Sequence, residues 1–349
     1  MRESRFNLQS LSAVGAFGLS ALALVLPVNF VTESPGPTFN TLGEFNDTPL
    51  LSIEGATSYP ASGRLDMTTV QVAGGPNSSV SALEVFAAWL EDSSATLPSD
   101  LVYAPSLTSD QVSAQNSADM TNSQELAQAA ALSYLQIDYQ ESLTVSGTAE
   151  AGPSAGILQE GDVLEAIDGQ KVKTYQELTD LVNASAGREV SIDLLRDGQQ
   201  QTLKVSPTYN EQDQRYVLGL YLSRSFDFPM TVTYGLEEVG GPSAGLMFSL
   251  GIIDQLTEGQ MTGGKHFAGT GTIDSDGRVG AIGGIEQKMW GAVNSGASYF
   301  LAPADNCDAV IGNVPKGLTV IKVATLSDAV AAVEGIGKGQ NPASFPTCS

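Results

Sequence analysis

The sequence predicts a mixed α/β (α+β) protein in which a compact module of short strands and one helix is inserted into a larger α/β body, behind one N-terminal membrane helix. Three observations predict it. Residues 6–32 carry no charge and are long enough as a helix to cross a bilayer. Beyond them, Thr- and Val-rich stretches alternate with segments that open on capping-box spacing, the marks of strands and of helix starts. The strand and helix at 64–92 precede the module at 143–207, and the helices bearing a candidate serine and lysine follow it, which makes the module an insertion.

The membrane helix is expected over residues 11–31, within a leading segment 1–32. Arg2 and Arg5 precede it and the next basic residue is Arg64, so the positive-inside bias leaves the N-terminus in the cytoplasm and the rest of a single-pass chain outside the cell membrane. The competing reading is a cleaved signal peptide, with the small residues "SALA" at 20–23 as the processing site. Export would let Cys307 and Cys348 pair and tie the tail 338–349 to the body; two unpaired thiols are the other reading.

Composition removes several classes of function. With 16 Lys and Arg against 39 Asp and Glu, the net charge of −23 repels phosphate backbones, so nucleic acid is not an expected partner. One His and two Cys cannot furnish the four N/S ligands of a structural zinc site, and H-E-x-x-H is absent. No metal and no cofactor are expected. The phosphate-binding pattern G-x-x-x-x-G-K-[ST] is also absent, so this chain shows no ATP-driven motor of its own.

Along the exported part, residues 33–142 form a first segment. Its Pro/Gly stretch "ESPGPTFNTLG" reads as a linker and "RLDMTTVQV" at 64–72 as a strand. Ser81 and Glu84 open a helix with Val80, Leu83, Ala87 and Leu90 along one face. Residues 93–115 read as a long surface loop, followed by a helix around 123–135. From Leu143 come a strand, an Asp168-Gly169 turn, a helix opened by Thr174 and Glu177, and two strands joined by the hairpin turn "RDGQ" at 196–199. Within this module, "GPSAGILQEGDVLEAIDGQKV" is similar to the small-Pro-small, Gly-Asp-Val/Ile-Leu, Asn/Asp-Gly run of bacterial PDZ domains, which the resemblance extends over 143–207. It implies a structural role for Ser154 in the first GPSAG. No GLGF-like carboxylate-binding loop stands in clear register there.

The second GPSAG, at 241–245, has different neighbours. After Pro242 the apolar residues Leu246, Met247, Leu250 and Ile253 fall at helical spacing, so Ser243 is expected at a helix N-terminus, where free amides and the dipole would stabilise an oxyanion. A serine hydroxyl needs a base. His266 is the only histidine and reads as structural, and Lys265 reads as solvated beside two glycines. Lys288 is the better base. On a helix starting at Ile285, with Met289, Ala292 and Val293 along its apolar stripe, Lys288 points partly inward, and burial lowers an amine's pKa. A Ser-Lys dyad suffices for acyl transfer. S-x-x-K, which penicillin-binding enzymes require, is absent. Asp274 and Asp276 read as a "DSDG" turn.

These residues resemble the proteolytic domain of Lon peptidases, and specifically the exported PDZ-Lon subgroup, which has a membrane anchor and no ATPase module. The resemblance runs from about Thr231 to Gly335, inside a proteolytic domain set at 208–337. It places the family's catalytic serine and lysine on Ser243 and Lys288, and the threonine that orients the lysine on Thr270, within "GTGTIDSDGRVGAIGG". ATP-dependent members carry a Lys-acidic pair where this chain has Val239 and Gly240. The resemblance implies an ATP-independent serine endopeptidase that cuts flexible segments of exported or membrane proteins, and it suggests a homo-oligomeric ring. The reading from another class is a catalytically inactive PDZ scaffold that binds C-terminal peptides.

Overall fold

The computed structural model describes residues 16–19, 22–76, 78–104, 106–212, 214–236 and 239–348. Two compact units emerge, one from the residues up to Leu135 together with those from Val232 onward, the other from Gln136–Thr231.

The first unit is built on a six-stranded sheet. Its strand order is Thr319–Val323, Tyr299–Pro303, His266–Gly269, Arg64–Gly74, Phe30–Asn40, Ala95–Pro98. The first four run parallel to one another, and Phe30–Asn40 pairs antiparallel with both of its neighbours, so it alone is reversed. Period-two alternation gives the sheet two apolar faces. Phe267, Leu301 and Ile321 pack with Met247 and Leu250 of the helix Gly245–Leu256, and Ala268, Phe300 and Val320 pack with Ile285, Met289 and Ala292 of the helix Ile285–Asn294. The serine-bearing and lysine-bearing helices therefore belong to opposite faces of one sheet. Their side chains can meet only beyond a strand end, and the carboxyl ends of parallel strands are where such sheets make their crevices. The serine helix is buried at every position from Gly245 to Asp254, because a second layer covers it: the helix Ser109–Tyr134 packs along it.

Several sequence expectations change here. Membrane helix 11–31 is corrected at its outer end. Pro27–Val28 and Phe30–Asn40 are strands, and Val31 is fully buried in the sheet. Residues 1–15, 20 and 21 lie outside the described residues. Among the described residues no helix is long and apolar enough to cross a membrane; 16–19 and 22–25 are helical. The Pro/Gly "linker" is the greater part of the strand Phe30–Asn40. Its prolines are accommodated because the pairing with Arg64–Gly74 shifts register between Pro35 and Thr38, so the missing amides fall at an irregularity. The expected loop 93–115 holds the strand Ala95–Pro98 and the start of the long helix, opened by a reciprocal capping box between Thr108 and Gln111. That helix buries four Ala, with Val112, Met120 and Leu132 as its widely spaced large apolar residues, so apolar periodicity does not announce it.

The second unit is an antiparallel sheet in the order Gln199–Val205, Val190–Arg196, Val163–Ile167, Gln140–Thr148, Leu220–Asp227, with the helix Tyr175–Ala184 against it. Leu178 and Val182 of that helix pack on Leu143, Ile167, Ile192 and Leu194. The two Asp-Gly turns, Asp168-Gly169 and Asp197-Gly198, all have positive φ, the backbone a tight hairpin requires. The sheet takes in Leu220–Asp227, so the module reaches past the 143–207 expected from sequence.

Cys307 and Cys348 form a disulfide. The tail returns to the body, with the Lys322 amide donating to the Pro346 carbonyl and Phe345 packing on the core. Closing a loop with a sequence separation of 41 removes about 4 kcal/mol of unfolded-chain entropy in the loop-closure treatment. Thermal melts with and without reductant are expected to show a lower Tm for the reduced protein; coincident melts would contradict this.

Candidate active site

Ser243 lies in the turn Gly241-Pro242-Ser243-Ala244, immediately before the helix that begins at Gly245. The turn is fixed from two sides. From the long helix, the Asn116 carbonyl accepts from the Gly241 amide at 2.9 Å, and Ser123 Oγ donates to the Pro242 carbonyl at 3.0 Å. From the sheet, the Ser243 carbonyl accepts from the Gly271 amide at 2.9 Å and from Thr270 Oγ1 at 3.0 Å. Gly245 is required by close approach, since a Cβ there would sit 2.7 Å from Ile273 Cγ2. Thr270 directly follows the central strand His266–Gly269, which puts it at the predicted crevice.

Lys288 enters from the other face. Its helix starts after Gly284, whose φ of 66° suits the turn and whose Cβ would stand 2.6 Å from Val70 Cγ2. One turn in, Lys288 is 3% exposed. Its Nζ lies 2.7 Å from Ser243 Oγ and 3.0 Å from Thr270 Oγ1. Burial lowers its pKa from 10.5 to about 7, against the opposing pull of the Glu33 carboxylate. Thr270 has one hydroxyl proton and gives it to the Ser243 carbonyl, so it must accept from Nζ. With one N–H directed at Thr270, a neutral Lys288 amine can turn its lone pair toward Ser243 Oγ. All three residues singled out from sequence thus converge on one point.

Glu33 is the site residue that sequence reasoning missed. It lines the same cleft of about 750 Å³ as Ser243 and Lys288, together with Thr69, Tyr103 and Asn116. Burial raises its pKa and the charge of Lys288 works to lower it. No sequence signal marked it, because its strand reads as a linker. Glu33→Gln removes the anion that favours the ammonium, so the Lys288 pKa is expected to fall further. Activity that needs the neutral amine would then persist to lower pH than in the wild type. A pH profile of kcat/KM reads this, and a limb that stays put or moves upward contradicts it.

The other candidates lie elsewhere. His266 begins the strand whose far end leads to Thr270, about 13 Å away along an extended chain. It bonds the buried Asp66 carboxylate at 2.8 Å, with Arg64 alongside. For Asp66, burial acts upward, but the bonds from His266 and Arg64 prevail and hold it below the usual range. Lys265 is half-buried in the turn before that strand. Asp274 and Asp276 both pair with Arg278. Ser154 of the first GPSAG is fully buried among turns, and among the described residues no hydrogen-bond partner reaches its Oγ. In its unit, a cleft of about 280 Å³ lies between the helix residues Leu178 and Val182 and the segment Val217-Leu218-Gly219-Leu220, beyond the stretch where sequence reading sought a carboxylate-binding loop.

Residues 225–333 match the family model of the Lon protease (S16) C-terminal proteolytic domain, and residues 111–206 match that of the PDZ domain. In the fold, the part of the PDZ match up to Leu135 is in the long helix of the other unit. Two domain types, a PDZ domain and a Lon-type proteolytic domain, are thus combined in this chain. A Lon protease of Azospirillum brasilense is 30% identical over 146 residues, 41% of this chain and 18% of that protein. A Lon protease of Clostridioides difficile (strain 630) is 33% identical over 92 residues, 26% of this chain and 11% of that protein. The chain therefore spans less than a fifth of the length of these relatives. Among solved structures, the PDZ domain of an SdrC-like protein from Listeria innocua is 27% identical and covers 23% of this chain and 92% of that domain, with a TM-score of 0.22.

Proposed function

We propose that the protein is an ATP-independent serine endopeptidase in which Ser243 is the nucleophile and Lys288 its general base. The observation that carries this reading is the buried amine with its pKa near 7, at 2.7 Å from a serine oxygen. The neutral Lys288 amine takes the Ser243 Oγ proton as Oγ attacks a peptide carbonyl. The oxyanion forms beside the start of the serine helix. Intramolecular bonding there begins with the Leu246 amide on the Gly271 carbonyl, so the amides just upstream are the expected donors. The Lys288 ammonium then gives its proton to the leaving amine, and a water deprotonated by the restored base releases the acyl group. Thr270 orients the amine throughout.

The substrate class follows from access. This chain holds no motif for ATP-driven unfolding, so the targets are polypeptide segments already flexible, in exported or membrane proteins. The apolar cleft beside Leu178 supports docking of a peptide in the PDZ unit. Membrane attachment belongs to the same reading. The strand Pro27–Val28 means that any span ends by Leu26. The disulfide supports placing the body on the oxidising side. Hydrolysis of an unstructured polypeptide by the full chain is expected at the same rate with and without ATP. A requirement for ATP would overturn the ATP-independent reading, and absence of hydrolysis under both conditions would favour the peptide-binding scaffold.

A further inference from the structure

The helix Ala82–Trp89 is built inside out. Its capping box is complete, with Ser81 accepting from the Glu84 amide and Glu84 accepting from the Ser81 amide. Yet no residue of the helix is buried. Leu83, Phe86, Ala87 and Leu90 stand at i, i+3, i+4 and i+7, the spacing that a globular helix turns toward its core, and all four are exposed. Trp89 is 67% exposed, with its ring 6.1 Å from that of Phe86. Leu101, on the next turn of helix in the chain, is 76% exposed.

Where this face sits says what covers it. The Ala82 amide donates to the Leu26 carbonyl at 3.3 Å. Pro27 and Val28 pair with Ser81 and Val80, and the Ser99 amide donates to the Asn29 carbonyl at 3.1 Å. The end of the uncharged run 6–26 is thus clamped between the start of the apolar helix and the segment that carries Leu101. We propose that Leu83, Phe86, Trp89, Leu90 and Leu101 dock into the outer leaflet of the bilayer from which that run emerges. This inference rests on the proposed membrane anchor.

The chemistry of the surface specifies the lipid. No Lys or Arg occurs between Arg64 and Lys171, while Glu84, Glu91, Asp92 and Asp100 flank the apolar residues. Docking therefore works by apolar insertion with Trp89 at headgroup level, and zwitterionic lipid is preferred to anionic lipid. Val102 and Tyr103, which directly follow Leu101, line the cleft of Ser243. Docking thereby holds that cleft close to the headgroups, where it meets chain segments that have just left the bilayer.

The test uses the full chain in phosphatidylcholine vesicles with Trp290→Phe, which leaves Trp89 as the only tryptophan. Flotation with the vesicles reads the anchor, and quenching reads the docking. Lipids brominated near the headgroup are expected to reduce Trp89 emission about twofold, with acrylamide having little effect. Flotation with quenching by acrylamide and none by lipid would overturn the docking and leave the anchor standing. Flotation with quenching by neither would mean that protein, such as a second copy, covers the face, and would also overturn it. Failure to float would remove anchor and docking together. Should Trp290→Phe not fold, the difference between wild type and Trp89→Phe gives the same reading.

Discussion

Lys288→Met is expected to abolish peptide hydrolysis while raising the melting temperature by several degrees. Both effects come from one burial. The amine's pKa is about 7 in the folded protein against an ordinary 10.5, so the unfolded state binds more protons between those values and stability rises with pH across that window. Below about pH 7 the ammonium is charged in both states and the folded protein bears the whole cost of burying it. Methionine fills a similar space without charge. The gain in stability should therefore be largest at or below neutral pH and shrink as pH approaches 10.5. Thermal melts across pH, with hydrolysis measured in parallel, check it. A loss of activity that came with a lower Tm would mean that Lys288 holds the fold together.

Ser243→Ala is expected to reduce hydrolysis by at least about 10³-fold, as removal of a nucleophile does, with Tm little changed. The turn around Ser243 is held through backbone groups: its carbonyl by Thr270 and Gly271, Pro242 by Ser123, Gly241 by Asn116. None of these bonds needs the Ser243 hydroxyl. A variant that kept a tenth or more of the wild-type rate would exclude Ser243 as the nucleophile and turn attention to the PDZ unit as the working surface.

How much of this was legible in the sequence divides along physical lines. Two of the three site residues lie on or beside elements with strong local signals: a Pro- and Gly-marked helix start for Ser243, and an apolar stripe beginning at Ile285 for Lys288. Thr270 came only from the family resemblance. Glu33 was illegible, because Pro35, Gly36 and Pro37 suppress strand propensity and only the register shift in the sheet rescues them. The long helix that braces the serine turn was half legible: its buried face is Ala-rich, and its large apolar residues Val112, Met120 and Leu132 are too widely spaced to make periodicity visible. The strand Leu220–Asp227 joins its sheet through pairing with Gln140–Thr148, a contact across 70 or more positions that no local pattern can announce. Of the stripe read at Val80, Leu83, Ala87 and Leu90, Val80 is buried in the strand Val80–Ser81 whereas the other three are exposed, a division set by tertiary placement.

Whether a desolvated amine activates Ser243 is read by the rate at which a serine-reactive phosphonate labels Ser243 as a function of pH. The labelling rate is expected to rise with pH through a midpoint of about 7 and to become flat and low in Lys288→Met. A rate that ignored pH in the wild type, or that rose only near 10.5, would contradict it.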